Sequence, residues 1–241
     1  MNSAAATEAR LAAREHLAIA LDVPSLDEAL ELARDVAPWF GVAKVGLELY
    51  SAAGPGAVEP LTDLGFRVFC DLKLHDIPTT VGRAARVLGR LGIHYLNFHA
   101  TGGVEMLRAG VDGVKEGARD AGLVAPVPLA VTVLTSDADA SAFDVRLAAA
   151  IEAGCEGVVC SVQEIARVKR ARKDFVTVVP GVRLADGDVH DQARVGTPSQ
   201  VAAAGADVLV VGRAVSAASD PRAAAQLVHD MVADARANER V

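Results

Sequence analysis

Three charged residues that lie close together in the sequence could form a reactive centre. Asp71 and Lys73 are two residues apart in an apolar segment, and Asp76 follows in the next predicted loop. Residues two apart in a β-strand point to the same face, so this ammonium and this carboxylate would lie side by side. Each charge favours the ionised form of the other. Such an array can stabilise negative charge that develops during a reaction and can then donate a proton.

A second lysine favours chemistry over a purely structural role. Lys44 lies in the apolar segment Val42–Gly46, and a lysine is seldom buried for packing alone. The alternative is a structural ion-pair network of Asp71, Lys73 and Asp76, because such networks also shift pKa values. With Lys44 included, the sequence favours a catalytic array of four residues.

The elements that must position these residues follow a regular alternation. Short apolar, β-branched segments alternate with longer segments rich in Ala, Leu, Arg and Glu along the chain. The predicted helices, several of which begin with a Ser or Thr suited to capping, include Ser25–Val36, Thr79–Leu91, Val104–Glu116, Ala142–Ala153 and Ser161–Arg172. The predicted strands are Leu17–Asp22, Val42–Leu47, Arg67–Lys73, Tyr95–His99, Val127–Leu134, Gly157–Cys160, Val176–Pro180 and Asp207–Val211.

Eight such units in one chain predict an α/β fold, a single-domain (β/α)8 TIM barrel. We assign the domain to residues 1–241, with about residues 1–15 as an N-terminal extension or helix. An open, doubly wound parallel sheet is the structural alternative. In either case the charged strand residues are informative, because parallel strands are buried on both faces. They lie mostly toward the C-terminal strand ends, where barrel active sites form, and are Asp22, Lys44, Asp71 and Lys73.

A second group of residues follows the predicted seventh and eighth strands and has the character of an anion site. Arg183 and Arg213 offer guanidinium groups, and Gln192 offers an amide donor. Gly212 allows the backbone to approach an anion closely. Loops at this position of a barrel often bind phosphate, so the sequence predicts a phosphorylated substrate.

Composition restricts the class of function. The 241 residues are 51% hydrophobic and carry a formal net charge of −7, which argues against a nucleic-acid or anionic-membrane binder. The three cysteines, Cys70, Cys155 and Cys160, form no CxxC pair, so no disulfide framework is expected. Neither a signal peptide nor a membrane-spanning run is present, so we expect a cytoplasmic protein.

Several other polar residues have simple interpretations. The six histidines show no HxxxH or HxH spacing, so no metal site is predicted. Glu48 is interpreted as the end of the second strand, and Ser136 as a turn residue. Thr79 and Thr80 follow Pro78 and are interpreted as helix-capping residues.

The segment Phe69–Thr80, FCDLKLHDIPTT, resembles the signature of the orotidine 5′-phosphate decarboxylase family. Further segments resemble that family over nearly the whole chain. They are Ala20–Pro24, Lys44–Gly46, Leu134–Ser136, Pro180–Arg183, Asp191–Gln192, Arg194–Pro198 and Val211–Arg213.

The resemblance implies a homodimeric barrel that converts orotidine 5′-monophosphate to uridine 5′-monophosphate and CO₂ without a metal or organic cofactor. Lys73 would then protonate C6 of the pyrimidine, with Lys44, Asp71 and Asp76 completing the charged array. Asp76, Ile77 and Thr80 would reach the site of the partner subunit. Asp22 would hold the ribose or place Lys44, Ser136 would contact the pyrimidine, and the phosphate would be held by Arg183, Gln192, Gly212 and Arg213.

Two other functions are alternatives to this one. A sugar-phosphate decarboxylase or aldolase of the same barrel group shares an Asp-x-Lys-x-x-Asp motif but uses Mg²⁺, and it resembles this chain less because a metal-binding glutamate stands there in place of Lys44. A catalytically silent, nucleotide-binding barrel would be expected to lack Lys73 or Asp76, and both are present.

Overall fold

The computed structural model describes residues 12–134, 136–137, 139–184 and 196–238. Within these residues eight parallel strands pair in chain order, and the last pairs with the first. This closure confirms the predicted barrel and excludes the open sheet. The strands are β1 (Leu17–Ala20), β2 (Val42–Val45), β3 (Arg67–Leu74), β4 (Tyr95–His99), β5 (Val127–Val131), β6 (Gly157–Val159), β7 (Val176–Val179) and β8 (Val208–Val211).

Helices follow the strands and form the outer layer of the barrel. Short 3₁₀ segments occupy Gly54–Ala57, Ala100–Gly102 and Val162–Glu164, and residues 12–15 are helical. The α-helices are α1 (Leu26–Val36), α2 (Leu47–Ala53), α3 (Val58–Asp63), α4 (Pro78–Gly89), α5 (Gly103–Asp120), α6 (Phe143–Glu152), α7 (Ile165–Ala171), α8 (Pro198–Ala203), α9 (Arg213–Ser216) and α10 (Pro221–Asn238).

The predicted strands agree with the structure to within a few residues, with one informative error. β2 ends at Val45, and Glu48 lies in the first turn of α2 rather than at the end of a strand. Gly46 precedes this helix as its N-cap, so the chain turns earlier than its apolar pattern indicates. A carboxylate in the first turn is also favoured by the helix dipole.

The predicted N-terminal caps are found at two helical segments, but not at α4. The Ser25 hydroxyl accepts the backbone N–H of Glu28, and Ser161 forms a capping box with Glu164. The capping role assigned to Thr79 and Thr80 is wrong, because both lie inside α4. Pro78 occupies the first turn of that helix, where its fixed φ and missing N–H are tolerated.

Two apolar layers hold the barrel together. Side chains of β4 show the alternation: Tyr95 points into the barrel, while Leu96 and Phe98 pack toward the helices. The interior layer consists mainly of small and β-branched residues, namely Ala18, Ala20, Val42, Phe69, Tyr95, Leu129, Val131, Val159, Val178, Val208 and Val210. This layer closes the barrel below its polar C-terminal end.

β3 is irregular where it carries the charged motif. Its pairing with β4 shifts register between Cys70 and Leu74. Lys73 there has a φ of 49°, the left-handed region that non-glycine residues seldom adopt. This conformation costs an L-residue roughly 1–2 kcal/mol, so surrounding contacts must hold it.

Glycines bring α4 and α5 into backbone contact. A Cβ added at Gly113 would lie 2.2 Å from the carbonyl oxygen of Gly82, and one at Gly117 would lie 2.0 Å from that of Arg86. Any side chain at either position would push the helices apart. Since α4 begins directly after Asp76 and Ile77, this packing fixes where the exposed segment after β3 lies.

A closed polar network lies near the amino-terminal ends of β7 and β8. Asp207 Oδ2 accepts hydrogen bonds from Lys169 Nζ at 2.7 Å, Thr177 N–H at 2.7 Å and Thr177 Oγ1 at 2.8 Å. Lys169 Nζ also donates to the Phe175 carbonyl at 2.9 Å. The network therefore joins α7, β7 and β8 through bonds to one carboxylate.

Candidate active site

A cavity of about 560 Å³ opens at the C-terminal ends of the strands. Its walls carry residues from β1, β2, β3 and the loops after β5, β7 and β8. Eight of the twelve predicted site residues line it: Asp22, Lys44, Asp71, Lys73, Ser136, Arg183, Gly212 and Arg213. The fold thus brings the charged motif and the C-terminal arginines, distant in sequence, to one pocket.

Asp71 stands between two ammonium groups at the floor of this cavity. Its Oδ1 accepts from Lys73 Nζ at 2.6 Å, and its Oδ2 lies 3.4 Å from Lys44 Nζ. Lys44 Nζ also donates to Asp22 Oδ1 at 2.9 Å. The Lys44 side chain is only 8% exposed, whereas that of Lys73 is 33% exposed and borders the cavity.

The surroundings of Asp71 keep it ionised. Burial alone would raise its pKa, but the charges of Lys44 and Lys73 and the hydrogen bonds from Lys73 and Asn97 hold the pKa below its ordinary value. The carboxylate is therefore a fixed negative charge that holds two cations in place at neutral pH. Neighbouring Cys70 points into the apolar layer, and burial raises the pKa of its thiol to about 12, which keeps it an inert thiol.

Asn97 on β4 is a site residue that the sequence analysis did not identify. Its Nδ2 donates to Asp71 Oδ1 at 2.6 Å, and its Oδ1 accepts the backbone N–H of Lys73 at 2.7 Å. The side chain is fully buried. The available signal was a single polar residue in the otherwise apolar segment Tyr95–Phe98.

Gly46 provides the space in which Asp22 and Lys44 meet. A Cβ at this position would lie 2.3 Å from Asp22 Oδ1 and 2.9 Å from Lys44 Nζ. The sequence segment Lys44–Gly46 gave no indication of this role, because the contact depends on Asp22 from another strand.

The anion-binding candidates line the same cavity from the loops after β7 and β8. Arg183 follows β7, and its Nη1 donates to the Val182 carbonyl at 3.1 Å. Val182 is also paired with Gly196 in an isolated parallel bridge, which fixes the start of this loop. Gly212 and Arg213 come directly after β8, with Arg213 as the first residue of α9. Gln192 lies outside the described residues.

Ser136 lies at the cavity rim in a turn after β5 and is exposed. Its predicted position in a turn is confirmed. The wall below it is apolar and is formed by Val131, Val133, Leu134, Val159 and Val178. A flat, largely apolar ligand group would fit between this wall and the charged floor.

Asp76, Ile77 and Thr80 do not line the cavity of their own chain. All three are exposed at the start of α4, and Ile77 is 67% exposed. The Asp76 carboxylate accepts the backbone N–H of Ile77 at 2.7 Å, which shapes the turn into the helix.

Two histidines pack beside this exposed segment. The His75 ring stacks on that of His99 with centroids 5.6 Å apart, and His99 Nδ1 lies 2.7 Å from Thr101 Oγ1. Burial lowers the pKa of His99, and the nearby charges of His75, Arg146 and Lys73 lower it further. The lowered pKa favours the neutral form of His99, whose ring packs the segment after β3 against the end of β4.

Among the described residues, no three His, Cys, Asp or Glu side chains are grouped as ligands for a metal ion. In the same residues, no helix combines the length and the apolar character that a membrane crossing requires.

Comparison with known proteins places the chain among enzymes of one kind. Residues 15–228 match the family model described as "Orotidine 5'-phosphate decarboxylase / HUMPS family". A protein of Moorella thermoacetica named orotidine 5'-phosphate decarboxylase is 45% identical over 233 residues, covering 91% of this chain and 92% of that protein. One of the same name from Nitratidesulfovibrio vulgaris is 47% identical over 227 residues, covering 88% of this chain and 95% of that protein.

Solved structures agree with the sequence comparison. The crystal structure of orotidine 5'-phosphate decarboxylase from Lactobacillus acidophilus superposes with a TM-score of 0.76 at 34% identity, over 90% of this chain and 99% of that one. A structure of the same name from Pyrococcus horikoshii, at 23% identity and a TM-score of 0.72, shows the shared barrel fold alone.

Proposed function

We infer the chemistry of this site from one premise: the chain belongs to the orotidine 5′-phosphate decarboxylase / HUMPS family. Like the relatives of that name, it decarboxylates orotidine 5′-monophosphate to uridine 5′-monophosphate in pyrimidine biosynthesis. The proposals below concern how its residues perform this reaction.

We propose that Lys73 stabilises and protonates the carbanion at C6. When the bond from C6 to the carboxylate breaks, CO₂ leaves and the electron pair stays in an sp² orbital that cannot delocalise into the ring. A fixed ammonium beside that orbital stabilises the charge, then transfers its proton to C6. The main support for this proposal is the position of the Lys73 ammonium. Its Nζ is held 2.6 Å from Asp71 Oδ1, and the residue lines the cavity.

Asp71, Lys44 and Asp22 support this step by fixing the array. Asp71 contacts both ammonium groups, so its ionised carboxylate orients Lys73 and compensates part of the buried charge of Lys44. Asp22 is half exposed and bonded to Lys44, which suits a residue that places this lysine and contacts a ribose hydroxyl. Asp71 would also lie near the departing carboxylate, but we assign the larger effect to the pre-oriented ammonium.

The remaining substrate contacts follow from position. We propose that Arg183, Gly212 and Arg213 hold the 5′-phosphate, with Gln192 as a further donor. Ser136, in the turn after β5, would contact the pyrimidine above the apolar wall. These assignments place phosphate and base at two ends of one cavity, with C6 over Lys73.

We propose that the enzyme is a homodimer in which Asp76, Ile77 and Thr80 complete the site of the partner. Support comes from the exposure of all three and from their absence from the cavity of their own chain. A large apolar side chain such as Ile77, two-thirds exposed beside an active site, is readily explained by burial against a second subunit. We place the enzyme in the cytoplasm, consistent with its three buried cysteines, which form no disulfide.

The competing Mg²⁺-dependent sugar-phosphate chemistry is disfavoured by Lys44. Its ammonium lies 2.9 Å from Asp22 and 3.4 Å from Asp71, so it occupies the carboxylates that a divalent cation would need. We therefore propose that the reaction needs neither metal nor organic cofactor.

The decisive test follows the ultraviolet band of orotidine 5′-monophosphate after addition of purified protein in excess EDTA. Rapid loss of the band is expected. No change in EDTA, together with Mg²⁺-dependent turnover of a sugar phosphate, would instead assign the chain to the alternative chemistry.

The shared site has its own test. Lys73→Ala and Asp76→Ala subunits are each expected to be inactive, and their mixture should recover partial activity because every heterodimer contains one intact site. No recovery, after subunit exchange has been demonstrated, would contradict the contribution of Asp76 across the interface.

A further inference from the structure

We propose that Asn97 is a positioning residue for the decarboxylation, which holds Asp71 and Lys73 in their reactive arrangement from the neighbouring strand. The proposal rests on the function proposed above and extends it to a residue that does not line the substrate cavity.

The two hydrogen bonds of Asn97 determine its orientation. The Lys73 backbone N–H can only donate, so it must face the amide oxygen, at 2.7 Å. The ionised Asp71 carboxylate can only accept, so it must face the amide nitrogen, at 2.6 Å. A side chain at this position must therefore offer one hydrogen-bond acceptor and one donor side by side. The amide group of asparagine supplies both.

The hydrogen bond from the Lys73 backbone N–H to Asn97 stabilises the irregular backbone of β3. Lys73 adopts a φ of 49° where the β3–β4 register shifts, so its N–H is not part of the regular ladder. Asn97 supplies the missing acceptor, and this bond supports a conformation that a lysine would otherwise leave. The conformation determines where the Lys73 side chain starts, and hence where its ammonium reaches the cavity.

The bond to Asp71 fixes the other end of the same pair. Asp71 Oδ1 accepts hydrogen bonds from Asn97 Nδ2 and from Lys73 Nζ, each at 2.6 Å. The other oxygen, Oδ2, faces Lys44. Removal of the amide would free the carboxylate to rotate between the two lysines. Both losses would misplace the ammonium relative to C6 while leaving the phosphate-binding wall intact, so the effect should fall on kcat.

The first test compares Asn97→Ala with wild type in steady-state decarboxylation and thermal unfolding. We expect kcat to fall about 10²-fold, since small misplacement of a catalytic group has that cost. KM should change less than about threefold, because ground-state binding to the phosphate wall is unaffected. A kcat within that same threefold range would overturn the proposal.

Thr177→Val is the matched control for loss of a buried polar side chain. Thr177 is fully buried, bonds both the carboxylate and the backbone N–H of Asp207, and does not line the cavity. It should lower the melting temperature and leave kcat unchanged. If Thr177→Val lost as much kcat as Asn97→Ala, removal of any buried polar side chain would lower activity by destabilising the fold. That result would overturn a specific role for Asn97.

Asn97→Asp keeps the side-chain volume and adds a readout that a merely structural role would not give. The new carboxyl would meet Asp71 across the 2.6 Å contact, and two carboxylates at that distance cannot both ionise. The singly protonated pair restores the donor and carries the native charge. The charged groups nearest the pair are Lys73 and Lys44, which contact Asp71. His99, two residues along the same face of β4, lies within electrostatic range of Lys73. Leu129, which pairs with Asn97 on β5, is apolar.

We expect the kcat of Asn97→Asp, relative to wild type, to rise as the pH is lowered from about 8 to about 5. A ratio independent of pH would overturn the proposal, and this variant preserves the test if Asn97→Ala fails to fold. A wild-type chain without turnover would overturn the proposed function itself. Active wild type with equally active Asn97 variants would overturn only this inference.

Discussion

Two Lys–Asp networks occupy opposite ends of this barrel, and they differ in how completely they are closed. At the amino-terminal end, Asp207 accepts from Lys169 and twice from Thr177, while Lys169 also donates to a carbonyl oxygen. At the C-terminal end, one buried carboxylate, Asp71, serves two ammonium groups, and Lys73 borders a cavity. The first network satisfies itself, whereas the second carries cationic charge that is available to an anionic ligand.

This difference separates a structural ion pair from a reactive one. The charges alone do not distinguish the two networks, because both combine lysine with aspartate and in both the pKa of the aspartate is lowered. The distinction lies in the lysine: Lys169 donates to both Asp207 and the Phe175 carbonyl and so fixes the fold, whereas Lys73 borders the cavity and can act on a substrate.

The comparison is tested most strongly by removal of the lysine from each network. Lys73→Ala should fold and lose turnover about 10⁴-fold, because it removes both charge stabilisation and the proton donor. Lys169→Ala should keep kcat within about threefold, as expected for a distant, independent site, but should melt at a lower temperature. Steady-state rates and thermal unfolding of both variants check this. Retained activity in Lys73→Ala would remove the proposed mechanism.

A smaller effect is expected from crowding the reactive network without changing its charges. The Cβ of Gly46→Ala would lie 2.3 Å from Asp22 Oδ1, at the end of a movable side chain, so Asp22 should swing away from Lys44 while the fold survives. We expect a loss in kcat/KM of about 10²-fold. Gly56→Ala is the matched control, because a Cβ there meets nothing within 4 Å. Equal activities of the two variants would show that the Asp22–Lys44 contact is dispensable.

The sequence predicted the barrel because strand periodicity and apolar runs are local signals. It predicted that Asp71 and Lys73 share a cavity because residues two apart share a face. It did not predict the left-handed conformation of Lys73, since the register shift depends on pairing with β4.

Other site features also depend on contacts between separate strands. The role of Asn97 arises from its position beside β3, and that of Gly46 from side chains on two strands. No local spacing encodes such contacts. The assignments of Asp76, Ile77 and Thr80 concern a second chain and stay predictions.

The smallest expected effect is a change in the pH dependence of stability when the network around Asp207 is altered. Catalytic activity should not change. Burial alone would raise the pKa of Asp207, but the hydrogen bonds from Lys169 and Thr177 hold it below its ordinary value. A carboxyl with a lowered folded-state pKa stabilises the protein above its unfolded pKa of about 3.9 and loses this contribution as the pH falls through the folded value.

Asp207→Asn should therefore lower the melting temperature by about 2–4 °C at pH 7, for a contribution of about 1 kcal/mol after allowance for solvent screening. The difference from wild type should begin to shrink below about pH 5, as the carboxyl of the unfolded chain starts to be protonated, and should be lost as the pH falls through the lower folded-state pKa. Melting curves between pH 3 and pH 7 measure it, and kcat at pH 7 should be unchanged. A melting difference that stays constant with pH would show that Asp207 acts by packing alone, and a large loss of kcat would show that the two networks are coupled through the barrel.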